Sequence, residues 1–158
     1  MNHFRQIAEK LDAFGIDAML LTCEANRFYA SGFHSAGTDG VALVTRRKAY
    51  YFTDSRYTEA AARVVRDAEI AEVRAGRGYG ALLREAVESQ NIRRMGCEDA
   101  YMTVRDYEAY RKALPCELVP ATELLLELRR VKDPQEQEIM SAAQRIAEKA
   151  LEEILNEI

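Results

Sequence analysis

Only two histidines, His3 and His34, and three cysteines, Cys23, Cys97 and Cys116, occur in this 158-residue sequence, so metal or nucleophilic chemistry has few places to reside. A hydrolytic zinc centre needs several His, Asp or Glu ligands brought together, as in HExxH, and no such spacing is present. The cysteines are far apart, form no CxxC pair and lie in or beside apolar runs, which reads as buried reduced thiols. His34 keeps richer company, in Ser31-Gly32-Phe33-His34-Ser35-Ala36-Gly37-Thr38-Asp39-Gly40. Three glycines among small polar residues make this the longest mobile-looking loop, and such loops on rigid α/β scaffolds often carry recognition. On the residues alone, a plain surface loop is the favoured reading. Ser35, His34 and Asp39 do not make a catalytic triad, because neighbours in one loop rarely reach the mutual geometry and no GxSxG elbow exists. Glu98 and Asp99, side by side at a strand end, read as solvated or capping acids rather than a catalytic carboxylate pair.

One further stretch imitates a cofactor motif. Gly76-Arg77-Gly78-Tyr79-Gly80 follows a strand pattern and opens a helical one, with Glu98 about 20 residues on, which is the context of a dinucleotide fingerprint. The spacing is GxGxG, one residue short of GxGxxG, so the third glycine is misplaced for close helix packing. The turn reads as a connector.

The elements that would position these residues follow from apolar periodicity. Phe4, Ile7, Ala8, Leu11 and Phe14 have helical spacing, with Gly15 as a C-terminal cap. Ile16 to Cys23, with its run Ala18-Met19-Leu20-Leu21, predicts a strand buried on both faces. Residues 41–45 and 49–53 flank Arg46-Arg47-Lys48 and predict an antiparallel hairpin. Asp54 stands where an N-cap belongs, ahead of the stripe Tyr57, Ala60, Ala61 and Val64. Strands are expected at 69–73, 94–98 and 116–119, and helices at 81–89 and 103–114, the last stopped by Pro115. This alternation predicts an α/β domain of three layers, with a mixed sheet flanked by helices.

From Asp133-Pro134-Gln135-Glu136 the pattern changes. A cap residue, Pro at the first helical position and Glu at the third open a helix that runs to the last residue. About 25 residues at 1.5 Å each span roughly 37 Å, longer than a small domain needs, so the apolar stripe from Ile139 to Ile158 is expected to pack on something outside this chain. The other reading is that it pairs with itself in a dimer.

Composition narrows the class. The sequence is 48% hydrophobic and 30% charged with a net charge of −4, which argues against a dedicated nucleic-acid binder. No signal-peptide pattern and no apolar run near the roughly 20 residues of a membrane span is present. A cytoplasmic protein that engages neither nucleic acid nor membrane is expected.

Three stretches together resemble a known family. Asn26-Arg27-Phe28-Tyr29-Ala30-Ser31-Gly32-Phe33 is similar to the N-x-x-Y-x-[S/T]-G-F motif of the N-terminal domain of creatinase, prolidase and aminopeptidase P proteins. Thr53-Asp54-Ser55-Arg56-Tyr57 resembles their T-D-x-R-Y motif, directly after a hairpin. Leu128-Arg129-Arg130-Val131-Lys132-Asp133, with Glu136 and Ala143 following, resembles the segment joining this domain to the catalytic one. Ala30 replaces the commoner Leu, Asp133 replaces Ser or Thr, and Gln137 stands where an aliphatic is usual. None of these breaks a physical role, since Asp caps a helix at least as well as Ser.

The resemblance implies a fold with a ribonuclease H-like motif, an accessory domain over residues 1–132, and the start of a long joining helix over 133–158. It implies a parent Xaa-Pro metallopeptidase whose C-terminal pita-bread domain, outside this chain, binds two divalent ions (manganese, cobalt or zinc) through two Asp, one His and two Glu. By the same resemblance this chain holds no metal and no catalytic residue, and is expected to be inactive alone. Its implied partners are its own C-terminal catalytic domain, further copies in a homo-oligomer, and proline-containing peptides. Phe33, His34 and Ser35 are the implied substrate contacts, made in trans at a neighbouring subunit's active site. Asn26, Tyr29, Gly32, Asp54, Arg56 and Tyr57 are implied structural residues, with Asn26 in a local turn, Asp54 as a helix cap and Arg56 in an interdomain or interface ion pair. Three other readings remain open: a catalytically inactive peptidase-like module that binds protein, a creatinase-type amidinohydrolase, and a nucleotide-binding domain built on the glycine turn.

Overall fold

In a computed structural model, which describes residues 2–157, α1 (Phe4–Lys10) runs into one 3-10 turn and stops at Gly15, whose φ of 61° closes the cap. The chain then alternates through β1 (Ala18–Leu21), α2 (Glu24–Ser31), β2 (Gly40–Thr45), β3 (Ala49–Thr53), α3 (Thr58–Val64) and β4 (Ala68–Glu72). It continues through α4 (Tyr79–Ser89), β5 (Arg94–Cys97), α5 (Val104–Ala113), β6 (Glu117–Pro120) and α6 (Thr122–Arg130). The strands form one sheet in the order β4-β3-β2-β1-β5-β6. β2 is antiparallel to both neighbours and the other pairings are parallel, so the sheet is mixed.

Every residue of β1, β2 and β3 is buried, as their unbroken apolar runs require of strands covered on both faces. Successive side chains go to opposite faces. Met19, Leu21, Val44 and Tyr51 join the cluster that includes residues of α1, α2, α3 and α6, whereas Ala18, Leu20, Leu43 and Phe52 join the cluster of α4 and α5. The result is the expected three-layer α/β architecture.

Two compact units divide between Leu128 and Arg129. In the second, α7 (Pro134–Leu155) is 22 residues long. Its start is a complete capping box: Glu136 N–H donates to Asp133 Oδ1 at 2.8 Å, and Asp133 N–H donates to Glu136 Oε2 at 2.9 Å. Its apolar residues, among them Ile139, Ile146 and Ile154, are exposed. Among the described residues no helix is long and apolar enough to cross a membrane.

Local differences from the sequence expectation fall near the motifs. Residues 24–31 are a helix, α2, rather than a turn, and Asn26 sits inside its first turn. α3 begins at Thr58 with Tyr57 as its N-cap residue, so Asp54 is not the cap. The Asp54 carboxylate instead takes the Arg56 backbone N–H at 2.9 Å and the Arg56 guanidinium, which holds the chain in a turn and delays the helix. α6 had no counterpart in the periodicity reading.

Candidate functional site

The parallel neighbours β1 and β5 end side by side, but the chain leaves β1 towards β2 and leaves β5 towards β6. In open α/β sheets the crevice at such a switch point, facing the N-terminus of a helix, is where ligands settle. Here the protein fills that crevice itself. Glu98, the residue after β5, is fully buried, and its carboxylate faces the entry to α2. Oε2 accepts from Thr22 N–H at 2.5 Å, Thr22 Oγ1 at 3.0 Å and Cys23 N–H at 2.7 Å, and Oε1 accepts from Asn26 Nδ2 at 2.7 Å. Asn26 is therefore a buried strut between helix and sheet rather than a turn residue. Asp99 acts as a cap on the next element, taking Thr122 N–H at 3.1 Å and Thr122 Oγ1 at 2.8 Å at the start of α6.

The turn fixed by Glu98 leads directly to Arg27, which is 1% exposed. Its guanidinium donates to the Thr22 carbonyl, to the carbonyls of Ser35 at 2.9 Å and Gly37 at 2.7 Å, and more weakly to Ser35 Oγ at 3.4 Å. Nε alone lacks an acceptor among the described residues, which costs about 1–3 kcal/mol for a buried donor. The 32–39 loop is thus pinned from beneath. Gly32, at φ 70°, ends α2, and its N–H returns to Phe28 O at 2.8 Å. Ser31 Oγ holds Phe33 N–H at 3.1 Å, and Ser35 Oγ meets Tyr51 Oη at 2.7 Å. Gly40 is needed where these groups converge, because a Cβ there would lie 2.9 Å from Ser35 Oγ and 3.0 Å from Tyr51 Oη.

Of the three residues expected at the substrate, only one is at the surface. Phe33 is 8% exposed and packs edge-on against Tyr51 and Tyr57, with ring centroids 5.8 and 6.3 Å apart, and Ser35 is 2% exposed. Both support the loop from within, because an aromatic ring and a satisfied hydroxyl gain more by burial than by exposure. His34 has a side chain 67% exposed and points outward. Its Nε2 lies 2.8 Å from Glu24 Oε1, and its ring stands edge-on to exposed Phe28 at 6.2 Å. Glu24 Oε2 also receives Gly37 N–H at 2.7 Å, so one carboxylate ties the histidine to the far side of its own loop. His34, Phe28 and Glu24 together offer an aromatic, hydrogen-bonding surface.

The second motif buttresses the loop's exit. Arg56 pairs inside its own unit, with Asp39 at 2.8 Å and Asp54 at 2.6 Å, and stacks over Tyr57 at 5.3 Å. Its guanidinium holds the Asp54 carboxyl below the usual carboxylate range, and the two carboxylates raise Arg56 in return. Tyr57 Oη reaches Asp39 Oδ2 at 3.4 Å, and Thr53 Oγ1 donates to Asp39 O at 2.8 Å. Tyr29, expected to be structural, is buried and stacks on His3 with centroids 4.0 Å apart. Burial pushes the Cys97 thiol up to about 11 and raises Cys116 too, so both stay protonated at neutral pH and are poor nucleophiles.

Glu98, Asp39 and Asp54 spend oxygens on N–H and O–H donors within the chain. The glycine turn at 76–80 follows β4, three strands away from the switch point in the sheet order. It closes a bridge between Arg74 and Arg77 and delivers Gly78 as the N-cap residue of α4. Glu98, Arg27, Asp39 and Tyr51 were not singled out by the sequence as parts of this site. A signal for Glu98 did exist: an acid that ends the buried strand Met95-Gly96-Cys97 must lie at the carboxyl edge of the sheet.

Comparison with known proteins bears on the family and the fold. The profile of the Creatinase/Prolidase N-terminal domain matches residues 4–131. An uncharacterized peptidase of Bacillus subtilis, YqhT, is 38% identical over 145 residues, which is 89% of this chain and 39% of the relative. A Xaa-Pro dipeptidase from Bacillus anthracis superposes with a TM-score of 0.89 at 33% identity, over 98% of this chain and 42% of that one. The N-terminal domain of cytoplasmic peptidase PepQ from Mycobacterium tuberculosis superposes at 0.69 with 31% identity, over 81% of this chain and 99% of that one. The chain spans about two fifths of the length of the peptidase relatives whose whole chains it matches.

Proposed function

Because this chain belongs to the Creatinase/Prolidase N-terminal domain family, we propose that it is the non-catalytic domain of a Xaa-Pro metallopeptidase of prolidase or aminopeptidase P type. In this reading the domain contributes to a homo-oligomer and covers a neighbouring subunit's active site, where His34 meets a proline-containing peptide. The divalent ions and their carboxylate and histidine ligands belong, in this reading, to a C-terminal domain. A cytoplasmic location goes with the reading.

The observation that carries it is the contrast within the loop. Phe33 and Ser35 are buried and tied, while His34 between them is held outward against Glu24 and Phe28. An exposed imidazole braced from behind can stack on a proline ring and hydrogen-bond a peptide carbonyl or terminus, and the preorganised loop loses little entropy when it does so. Phe33 and Ser35 then set the loop's shape rather than touch the peptide.

The test is Xaa-Pro hydrolysis with manganese or cobalt, by the full-length protein and by residues 1–158. Activity is expected only in the longer protein. There, His34→Ala should raise KM or shift the preference between dipeptides and tripeptides on the order of fivefold, the worth of about one hydrogen bond. An unchanged profile would remove the capping role. Inactivity of both, with folded and metal-loaded protein, would favour a peptidase-like module that binds protein.

A further inference from the structure

Building on that reading, we propose that Arg27 is the positioning residue of the capping loop: it never meets the peptide, yet decides where His34 stands. The argument begins with an imbalance. Arg27 is a cation 1% exposed, and among the described residues no carboxylate pairs with it. Apart from the long contact to Ser35 Oγ, its acceptors are backbone carbonyls, and they belong to two different segments. Thr22 O lies at the exit of β1, on the rigid edge of the sheet, whereas Ser35 O and Gly37 O lie in the loop. The guanidinium therefore staples the loop to the sheet at two points, on either side of Ala36 and immediately after His34.

The staple belongs to a closed circuit. Arg27 fixes Ser35 and Gly37, the Gly37 N–H is taken by Glu24, and the other Glu24 oxygen holds His34 Nε2. Backbone bonding inside the loop contributes little: Asp39 N–H to Ala36 O at 2.9 Å spans its far end. Without the guanidinium, residues 33–37 would keep the Ser35–Tyr51 contact, the burial of Phe33 and the Gly37–Glu24 bond, but the Ser35 and Gly37 carbonyls, and with them the 35–36 and 37–38 peptide planes, would lose their anchor. A planar fork with several fixed N–H directions suits this task, and a lysine ammonium cannot reproduce it. The fold also leaves Arg27 Nε without an acceptor, so stability has been given up at this point for the arrangement of the other two nitrogens.

The experiment uses the full-length protein and compares Arg27→Lys, Gly37→Ala and His34→Ala, alone and combined. Gly37→Ala adds a methyl with nothing within 4 Å but requires φ near +46° of an L residue, so it disturbs the same loop without disturbing the core. It carries the test if Arg27→Lys fails to fold. The readouts are KM and kcat for Xaa-Pro dipeptides and tripeptides, beside the thermal midpoint. Arg27→Lys and Gly37→Ala should each move KM or the tripeptide-to-dipeptide ratio in the direction of His34→Ala, on the order of threefold to fivefold, with kcat little changed. In the His34→Ala background they should move it no further, because both act through the same side chain. A purely structural arginine would lower the midpoint and leave the ratio alone, which would overturn the proposal. So would a shift that persists in full without His34. If His34→Ala itself changes nothing, the capping reading fails first and takes this inference with it.

Discussion

Removing the Glu98 carboxylate should cost this domain more than removing any exposed charge. Glu98→Ala leaves the Thr22 and Cys23 backbone N–H groups and the Asn26 amide facing a cavity, while the Thr22 hydroxyl can rotate away. Each stranded buried donor costs about 1–3 kcal/mol, and water entering the vacated space recovers part of it. The net loss is therefore about 3–5 kcal/mol, the range for removing one member of a buried charged set. Against a whole-domain stability of about 5–15 kcal/mol, that is about a fifth of the total or more. Glu98→Gln is the sharper probe. One amide oxygen still accepts, but the NH₂ group must face either backbone N–H groups or the Asn26 amide, so about 2 kcal/mol is lost. Adding Asn26→Asp to that variant supplies an acceptor for the new NH₂ group and should recover about half of the loss. Urea denaturation followed by circular dichroism measures all three, provided the m-value is unchanged. A Glu98→Ala loss under about 1 kcal/mol would refute the filled-crevice argument. So would a double variant no more stable than Glu98→Gln, because donor matching would then not be what holds α2.

At the opposite end of the sheet, Asp17 accepts from Arg46 at 2.9 Å and from the Arg93 and Arg94 backbone N–H groups at 2.9 Å each. The Arg46 hydrogen bond is the largest cause that lowers its pKa from 3.8 to about 2. A depressed folded-state value means a contribution complete above the unfolded pKa and lost as pH falls through the folded one, here over about pH 4 to 2. With partial solvent screening it is about 1–2 kcal/mol, so wild type and Asp17→Asn should differ by that amount at pH 7 and converge near pH 2. Equal separation at both pH values would exclude the linkage. Asp133→Ala removes the acceptor of the Glu136 N–H, the side-chain half of the capping box of α7, and should cost about 1 kcal/mol of local helix stability. Amide exchange in residues 134–137 should speed up correspondingly, and unaltered exchange there would show that the helix start is held by other contacts.

The switch-point crevice explains how the sheet holds a surface loop in place. Elsewhere in α/β proteins an anion comes to the helix N-terminus from solution. Here the anion is Glu98, covalently part of the sheet edge, so the crevice becomes a rigid foundation for Asn26, Arg27 and the loop beyond.

The layered architecture was legible in the sequence because it rests on periodicity. Unbroken runs such as Met19-Leu20-Leu21 and Ala49-Tyr50-Tyr51-Phe52 can be satisfied only by strands covered on both faces, and Asp133-Pro134-Gln135-Glu136 specifies its own helix start. The glycines Gly32, Gly37 and Gly40 also marked the loop that runs from the end of α2 to β2. Glu24 to Ser31 escaped as a helix because polar residues and two aromatics mask its period. Its stability comes from Glu98, more than 70 residues away, which supplies the cap that Cys23 cannot. Which loop residue would be exposed was likewise beyond local pattern. Phe33, His34 and Ser35 are equally plausible contacts in sequence. Tyr51 and Tyr57 below draw Phe33 inward, the Tyr51 hydroxyl takes Ser35, and His34 is the one side chain of the three directed outward, against Glu24 and Phe28. Local order is written in spacing, whereas the satisfaction of buried polar groups depends on which distant segments the sheet brings together.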